Sequence, residues 1–456
     1  MVTVERMYVR GIIYAVFAGS AVAGTGAEVV PVRGVYRGWD AVCLSNRYVS
    51  LQIVPLIGGR VMEYALGNKN FMWVNPQLAG KLPPEGGVGP GNAWLNYGGD
   101  KLWPAPQGWD NAEQWPGPPD AVLDGGAYKM KVLSSAGGKA SVMLTSGKDK
   151  RSGIQFSRVI SVYDGSTRVS FEATMKNIDT KPRRWGIWAH TQLDGGKKGG
   201  GYNAELNAYC PINPKSHFTN GYTVIFGDEK NPSFQADKKR GLMRVQYQYK
   251  VGKIGLDSPA GWVATVDGSS GRVFVQRSAF EPGKEYPDGS SVEFWLNGTG
   301  SFRAWGKENV MSGDPQKNPY VFESEMLSPF AKLQPGESYT WKYDWYLTSI
   351  GAGNSEVVDC TSAGVVAEPL SAKMENGKIR LKGRFGVFAQ GTLVVVMKDV
   401  QGKEVERKKM IEGVFPVIPV VIDHAVAMPA GTASVSLVLV DGAGTDTGKI
   451  AEAAVD

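Results

Sequence analysis

The sequence predicts an all-β protein, in which a large antiparallel sandwich precedes a smaller one. From about Val49 onward, apolar and polar residues alternate with a period of two in many short runs, which is the pattern of half-buried strands. Turn formers separate the runs, and helical periodicity is nearly absent. The 59 glycines, 26 prolines, 13 tryptophans and 18 tyrosines fit this class, since turns and aromatic-rich strands need them.

The charge of the chain argues against a nucleic-acid partner. A net charge of +6 is modest for 456 residues. The basic runs at residues 238–240 and 407–409 are short and form no continuous stripe, so we interpret them as solvated turns or strand ends.

The amino terminus has the pattern of a signal peptide. Arg6 and Arg10 precede an uncharged, apolar run at residues 11–23, and small residues follow it. We therefore predict a cleaved segment at residues 1–27 and a periplasmic or secreted protein. The run is short for a membrane span, and no second apolar segment of spanning length follows, so no span is expected in the mature chain. An uncleaved amino-terminal anchor is the alternative.

The segment NYGGDKLWPAPQGW, at residues 96–109, combines aromatic rings, charges and turn formers. Pro104 and Pro106 cannot donate to a β-ladder, so we expect an ordered loop. Aromatic faces beside polar groups suit a sugar, which offers C–H faces and hydroxyl groups. The alternative is a loop that tryptophans merely fix to the body. The residues of interest are Trp94, Asn96, Asp100, Lys101, Trp103, Trp109 and Trp115.

Two strands illustrate the large sandwich, which we predict over residues 28–352. Alternation in residues 169–175 and again in residues 341–347 places the apolar side chains on one face. Near Ile350 the sequence GAGNSE is small and polar, and aromatic density falls after it, which indicates a domain boundary. Residues 360–456 contain short strands in about the number needed for a small immunoglobulin-like sandwich.

His190 is the histidine that draws attention among the three in the chain. On a strand it would share one face with Trp188 and Gln192, where an imidazole can exchange a proton near neutral pH. A buried, hydrogen-bonded histidine of the sheet is an equally good interpretation. No zinc, P-loop or dinucleotide motif is present, so we expect neither a metal nor a cofactor.

Carboxylates and cysteines complete the inventory. Glu323 and Glu325 would point to the same face of one strand, where two acids side by side can raise a pKa and form a general base. A solvated strand face is the alternative.

Cys43, Cys210 and Cys360 are widely spaced, so one disulfide can form, but the sequence does not choose the partners.

Four motifs in order resemble the galactose-mutarotase-like superfamily, including its aldose and hexose-phosphate epimerase relatives and a bacterial uncharacterised branch. The resemblance covers roughly residues 45–350. The motifs are LQIVPLIGGRVMEYALGNKNFMWVNP, NYGGDKLWPAPQGW, MKNIDTKPRRWGIWAHTQLD and YVFESEMLSPFAKLQPGESYTWKYDWYL. The implied fold is a large β-supersandwich that binds sugars.

The resemblance also implies roles for individual residues. His190 corresponds to a general acid at the ring oxygen, and Glu325 or Glu323 to a general base at the anomeric hydroxyl. Arg60, Asp100 and Lys101 would anchor hydroxyls or a carboxylate. The chain departs from the family pattern around the histidine, where it reads AHTQLD.

We interpret the chain as an exported carbohydrate-binding protein and, if it is an enzyme, as an aldose 1-epimerase-like isomerase. One alternative is a polysaccharide lyase or glycoside hydrolase that uses the same cleft. The other is a non-catalytic glycan-binding or envelope structural protein. The sequence specifies neither the sugar nor the oligomeric state.

Overall fold

The chain folds almost entirely into β-strands, which confirms the predicted all-β class. The computed structural model describes residues 29–84, 86–304 and 306–456, and the predicted signal peptide lies outside them. These described residues contain two short 3-10 helices, Pro90–Asn92 and Pro287–Gly289, and none of their helices is long and apolar enough to cross a membrane.

The strands are numbered in chain order. The first twelve are β1 (Val32–Tyr36), β2 (Trp39–Ser45), β3 (Val49–Val54), β4 (Arg60–Leu66), β5 (Lys69–Asn70), β6 (Asp100–Ala105), β7 (Lys129–Ala136), β8 (Lys139–Thr145), β9 (Ile154–Tyr163), β10 (Val169–Asn177), β11 (Arg183–Asp194) and β12 (Leu206–Pro211). The next twelve are β13 (Thr223–Gly227), β14 (Phe234–Asp237), β15 (Leu242–Gln246), β16 (Gly252–Leu256), β17 (Trp262–Asp267), β18 (Arg272–Ser278), β19 (Val292–Leu296), β20 (Gly300–Ala304), β21 (Lys307–Met311), β22 (Val321–Leu327), β23 (Ala331–Leu333) and β24 (Ser338–Ser349). The last eight are β25 (Asp359–Cys360), β26 (Gly364–Glu375), β27 (Lys378–Val387), β28 (Gly391–Lys398), β29 (Glu404–Val414), β30 (Val420–Ala427), β31 (Ser434–Val440) and β32 (Asp446–Ala454).

Two large antiparallel sheets form the predicted supersandwich. Within the described residues, the front sheet has twelve strands in the order β1-β2-β3-β4-β6-β11-β22-β19-β16-β13, with β5 paired to β4 and β23 to β11. The back sheet has ten, in the order β14-β15-β12-β17-β18-β24-β10-β9-β8-β7. The hairpin β20–β21 pairs only with itself in this part of the chain.

The core between the sheets follows from the alternation seen in the sequence. On β10, Val169, Phe171, Ala173 and Met175 are buried, whereas Glu172 is exposed. The next strand of the back sheet, β24, adds its apolar side chains to the same face, and Phe171 stacks on its cross-strand neighbour Tyr343 with ring centroids 4.7 Å apart. Burial of such apolar surface is the main stabilising contribution to a sandwich of this kind.

A layer of buried polar groups crosses this core beneath the centre of the front sheet. Asp100 on β6 forms an ion pair with Arg158 on β9, and both side chains are almost fully buried. Thr191 on β11 donates to Asp100 Oδ1 over 2.8 Å, and Gln276 on β18 donates to Thr191 Oγ1 over 3.1 Å. Since β9 and β18 belong to the back sheet, these contacts tie the two sheets together.

The segment predicted to be a loop contains a strand, which corrects the sequence analysis. Residues Asp100–Ala105 form β6, and Pro104 pairs in register with Ile187 of β11. On its other side, β6 is paired with β4 only through Asp100 and Val61. Further along β6 that edge is free, so a proline can be accommodated there without the loss of a ladder hydrogen bond.

The carboxy-terminal strands form a smaller sandwich on the outer face of the back sheet. Its two sheets, as described, have the orders β25-β26-β27-β30 and β29-β28-β31-β32. Tyr346 of β24 stacks on Phe388 with centroids 4.3 Å apart, and Thr348 Oγ1 donates to the carbonyl of Val387 over 2.7 Å. This sandwich therefore packs on the side of the molecule opposite the outer face of the front sheet.

The three cysteines do not pair. Cys43 lies in β2, Cys210 in β12 and Cys360 in β25, and all three are free thiols. The disulfide considered from the sequence is therefore absent from this structure.

Candidate functional site

A cavity of about 630 Å³ opens on the outer face of the front sheet. Its floor is formed by side chains of β6, β11, β22, β19 and β16. Loops at residues 73–78, 94–96 and 107–109 form one wall, and the hairpin β20–β21 with residues 315–319 forms the other. Its size lies within the roughly 300–1,000 Å³ typical of pockets for small organic ligands.

The strand register of the front sheet arranges the side chains at and beneath the cavity floor in two parallel rows. In the first row, Lys101, His190, Glu325 and Glu293 lie opposite one another on β6, β11, β22 and β19. Because residues two apart on a strand share a face, the second row lies next to the first on the same side of the sheet. It consists of Gln192, Glu323, Trp295, Lys253 and Phe226.

The charged side chains of the two rows contact one another directly. His190 Nε2 lies 3.2 Å from Glu323 Oε2 and 3.3 Å from Glu325 Oε1. Lys253 Nζ lies 2.6 Å from Glu293 Oε2 and 3.3 Å from Glu325 Oε2. Five ionisable or polar groups thus form one connected, buried network at the cavity floor.

A second hydrogen-bonded chain reaches this network from β6. Lys101 Nζ donates to Gln192 Oε1 over 3.0 Å, and Gln192 Nε2 donates to Glu323 Oε1 over 2.7 Å. The orientation of the Glu323 carboxylate is therefore fixed from both sides, by Gln192 and by His190.

Burial dominates the proton affinities of the central pair. It lowers the pKa of His190 well below its ordinary value of 6.5, and the nearby ammonium of Lys101 lowers it further. Burial also raises the pKa of Glu325, although the ammonium of Lys253 acts in the opposite direction. The imidazole is therefore neutral at neutral pH, and burial also favours the protonated, uncharged form of the Glu325 carboxyl group.

The other groups of the floor are shifted as well. Burial and the positive charge of Arg60 lower the pKa of Lys101 to about 7. Burial raises the pKa of Glu293 to about 7, against the effect of Lys253. Lys101 and Glu293 are buried beneath the cavity lining, and such a concentration of shifted groups around one cavity is typical of sites that transfer protons.

Asp124 positions two tryptophans of the cavity. Its Oδ1 accepts hydrogen bonds from Arg60 over 2.6 Å and from Trp103 Nε1 over 3.1 Å. Its Oδ2 accepts from Trp94 Nε1 over 2.8 Å. Trp103 in turn packs on His190, with ring centroids 3.9 Å apart. One buried carboxylate therefore fixes the aromatic wall beside the imidazole.

Most of the residues that the sequence singled out do meet at this cavity. The structure brings the three candidate acid–base residues and four of the candidate ligand contacts to its lining; they are His190, Glu323, Glu325, Asn96, Trp103, Trp109 and Trp188. Their contact with a ligand stays a prediction.

Three other expected contacts need correction. Arg60 is fully buried and its guanidinium is occupied by Asp124 and by the carbonyls of Ile57 and Gly98. Asp100 points from β6 into the core, where it pairs with Arg158. Lys101 lies on the cavity side of β6 but is fully buried under Trp103 and Gln192. It therefore influences the lining residues through its charge and its hydrogen bond to Gln192 without contacting the cavity itself.

Four further residues of the site are not indicated by any motif in the sequence, namely Lys253, Glu293, Trp295 and Asp124. The first two were detectable in principle, because a lysine in the strand GKIGL and a glutamate in VEFWL interrupt otherwise apolar or small residues. Asp124 stands in a turn-rich segment without periodicity, where no local pattern indicates a function.

The ligand atoms of His190, Glu323 and Glu325 lie within 4.8 Å of one another, so the site could hold a divalent ion on distance alone. A metal-binding histidine normally donates its second ring N–H to a carboxylate or carbonyl. His190 Nδ1 has no hydrogen-bond partner among the described residues, and the Lys253 ammonium already lies beside Glu325. The arrangement fits proton transfer better than metal binding.

Several buried polar atoms of the floor also lack hydrogen-bond partners within the described parts of the chain. They include Trp188 Nε1 and His190 Nδ1, while the carboxylate oxygens of Glu325 have only their ion-pair contacts with His190 and Lys253 at 3.3 Å. All three residues line the cavity. Because buried polar groups are normally satisfied, these atoms indicate a polar ligand.

Comparison with protein families gives one match that covers most of the chain. Residues 40–348 match the family described as a domain of unknown function, DUF4380. The chain belongs to this family. The DUF4380 region comprises all the residues of the two rows and ends within β24, the last strand of the supersandwich. Among curated proteins no match is found.

Solved structures similar to this DUF4380 protein include galactose mutarotase-like proteins. One, from Clostridium acetobutylicum, shares 11% identity over 71% of this chain and 99% of its own, with a TM-score of 0.44. Another, from Lactobacillus casei, shares 12% identity over 67% and 99%, with a TM-score of 0.41. A TPR-domain containing protein from Parabacteroides distasonis shares 12% identity with a TM-score of 0.43 over 67% of this chain, which spans only 46% of that structure.

Proposed function

We propose that this DUF4380 protein is an exported carbohydrate-binding protein that interconverts the anomers of a reducing sugar. The observation that carries the proposal is the contact between His190 and Glu325, 3.3 Å apart at the floor of an aromatic cavity. Opening of a sugar hemiacetal moves one proton onto the ring oxygen and one off the anomeric hydroxyl. Both oxygens are bonded to the same carbon, so the acid and the base that serve them must be neighbours.

The shifted pKa values suggest which residue does what. Glu325, whose pKa is raised, donates a proton to the ring oxygen as the bond from that oxygen to the anomeric carbon breaks. His190, whose pKa is lowered, is neutral and accepts the proton of the anomeric hydroxyl as the carbonyl forms. After rotation of the open chain, the reverse transfers close the ring on either face. These roles are exchanged relative to those that the sequence resemblance implies.

The cavity wall supports a sugar as the ligand. Trp103 and Trp188 pack beside His190 and on each other, with ring centroids 3.9 and 5.4 Å from the imidazole and 5.3 Å apart. Their faces suit the C–H surface of a pyranose, while the amides of Asn96 and Gln107 in the same lining suit hydroxyl groups. Lys253 would balance the negative charge of Glu293 whichever member of the central pair is protonated.

The position of the two acids favours isomerisation over glycoside hydrolysis. Glycosidases place their carboxyl groups on either side of the scissile bond, about 5–5.5 Å apart in retaining enzymes and further in inverting ones. Glu323 and Glu325 project from the same face of one strand, and their nearest ligand atoms lie within 4.8 Å of each other. They therefore face one side of a ring together.

The test is anomer exchange by the purified mature chain. Freshly dissolved single anomers of glucose, galactose, mannose, xylose, arabinose and fucose are followed by polarimetry, and exchange at equilibrium by NMR magnetisation transfer between the anomeric protons. We expect acceleration over buffer for at least one sugar. Binding without acceleration would leave a non-catalytic glycan-binding protein. The absence of both binding and acceleration would contradict the proposal as a whole.

Export is a separate part of the proposal. It is supported by Arg6, Arg10 and the apolar run at residues 11–23. Expression in a bacterial host followed by amino-terminal sequencing of the periplasmic fraction tests it. We expect a mature chain that begins after residue 27, whereas a full-length chain in the cytoplasm would refute export.

A further inference from the structure

The wall opposite Trp103 carries a second aromatic surface. Phe226, Trp295 and Phe302 pack together there, with ring centroids 5.2 to 6.1 Å apart, and all three line the cavity. Phe302 belongs to the hairpin β20–β21, while Phe226 and Trp295 project from β13 and β19. We call these three residues the hairpin cluster.

The hairpin cluster is fixed in place before any ligand binds. Trp295 Nε1 donates to Asn297 Oδ1 over 2.8 Å, so its indole N–H is already satisfied. Phe302 is packed against Val251, and both are buried. Trp295 and Phe226 nevertheless remain partly exposed toward the cavity. A rigid aromatic face that stays accessible is a preorganised platform, which loses little entropy when a ring stacks on it.

The hairpin cluster begins beside the acid–base pair and extends well beyond it, since Trp295 lies on β19, next to β22 and opposite Glu323. Phe226 lies on β13, three strands beyond Glu325 on β22 in the front sheet. At about 4.8 Å per strand, this corresponds to roughly 14 Å along the cavity floor. A single pyranose beside His190 would already contact the aromatic pair Trp103 and Trp188, which lines the same part of the cavity. The far end of the hairpin cluster, at Phe226, therefore lies beyond the reach of that ring and is available to a different part of the ligand.

We propose that the cavity has two sugar subsites and that its ligand is a reducing disaccharide or longer oligosaccharide. The reducing-end ring lies at His190 and Glu325, and the next ring stacks on the hairpin cluster. This inference rests on the proposed function for the first subsite, and adds the substrate class.

The test compares matched pairs of sugars by isothermal titration calorimetry. The probes are glucose with cellobiose and with maltose, galactose with β-1,4-galactobiose, mannose with β-1,4-mannobiose, and xylose with β-1,4-xylobiose. In at least one pair we expect the disaccharide to bind roughly ten-fold more tightly than its monosaccharide, as one added stacking contact provides.

Variants then locate the second subsite. Trp295→Ala and, independently, Phe226→Ala should bring the ratio of the two dissociation constants close to one. Tyr202→Ala is the matched control, because Tyr202 is an exposed aromatic residue outside the cavity lining, and it should leave the ratio unchanged. Thermal denaturation of each variant identifies any that fails to fold, and the two independent substitutions guard against that outcome.

Different failures separate this inference from the proposed function. Monosaccharides that bind as tightly as their disaccharides would overturn the second subsite and leave the first intact. A disaccharide preference that survives both substitutions would place the second ring elsewhere and also overturn the inference. No binding in any pair would contradict the proposed function, and the inference with it.

Discussion

His190 and Glu325 lie directly opposite each other on β11 and β22, so the backbone register itself brings His190 Nε2 to 3.3 Å from Glu325 Oε1. Both strands are flanked by paired neighbours in the front sheet. The pair is thus held by the hydrogen-bond ladder of a central sheet rather than by a mobile loop. Catalytic geometry built on such elements is positioned more accurately than geometry built on loops.

Removal of either member of the pair should abolish anomer exchange while sugar binding persists. Glu325→Gln keeps the shape but cannot donate the proton, and His190→Ala removes the acceptor. We expect each to slow exchange by about 10²–10⁴-fold, measured by NMR magnetisation transfer, with binding followed by calorimetry. Glu172→Gln is the control, because Glu172 is exposed on β10 of the back sheet. Full activity in Glu325→Gln would exclude it as the acid.

Asp124→Asn should weaken both the fold and the binding of sugar. The change leaves the buried guanidinium of Arg60 without its counter-charge, which costs about 3–5 kcal/mol of unfolding free energy. It also loosens Trp94 and Trp103, so affinity should fall. Urea unfolding and calorimetry measure the two effects. Asp344→Asn, which breaks the more exposed pair with Arg168, should cost about 1 kcal/mol or less and leave affinity unchanged.

Asp100→Asn should lower stability without a specific effect on the sugar. Asp100 accepts hydrogen bonds from Arg158 and Thr191 in the core and does not reach the cavity. We expect a loss of about 3–5 kcal/mol in urea unfolding, because a buried charge loses its partner. At temperatures where the variant remains folded, its dissociation constant for sugar should match that of the wild type. A large rise in that constant would restore Asp100 as a ligand contact.

Lys101 should make stability depend on pH in a defined window. Its pKa is about 7 in the folded chain against 10.5 for a free lysine, so between these values the unfolded chain holds the extra proton. The contribution of Lys101 therefore makes the folded chain more stable as the pH rises from about 7 to 10.5. Below pH 7 Lys101 is protonated in both states, and the full cost of burying its charge opposes folding. Lys101→Met should melt several degrees higher than the wild type at pH 7, and this difference should shrink by pH 10.

The matched control for that experiment is Lys342→Met, which alters an exposed lysine of β24. Its melting temperature should differ from that of the wild type by a small amount that does not change with pH. A constant difference for Lys101→Met as well would show that Lys101 has an ordinary pKa in the folded chain.

Chelators should leave the activity unchanged. The positive charge beside Glu325 is supplied by Lys253, 3.3 Å away, and His190 Nδ1 has none of the partners within the described chain that orient a metal-binding histidine. Anomer exchange measured after dialysis against EDTA should equal that of the untreated protein. Loss of exchange that zinc, manganese or calcium restores would assign His190, Glu323 and Glu325 to a metal centre instead.

Alternation in the sequence predicted the strands and the facing of the key side chains. Glu323 and Glu325 share one face, as do Trp188, His190 and Gln192, because side-chain direction on a strand has a period of two. The pairing of β11 with β22 was beyond such reasoning, since it depends on contacts between distant segments. The resemblance of four motifs to a sugar-binding superfamily supplied that link.

The errors have physical reasons. Asp100 and Lys101 are adjacent in sequence and were expected at the same ligand, but on a strand they point to opposite faces of the front sheet. Pro104 led to the prediction of a loop, because a proline is excluded from most strands. Whether a strand has an unpaired edge that tolerates a proline depends on its neighbours in the sheet, which the local sequence does not indicate. Arg60 was expected to be accessible, yet its partner Asp124 lies in a turn that carries no periodic signal.

The hairpin β20–β21 is joined to neither large sheet, and in the described chain its strands form ladder hydrogen bonds only with each other. Its contact with the front sheet is made by side chains, chiefly through Phe302 on Phe226 and Trp295. Under the proposed function, exchange of this hairpin between relatives would change one wall of the cavity and leave His190 and Glu325 in the central strands as they are. Natural diversification could follow the same modular route.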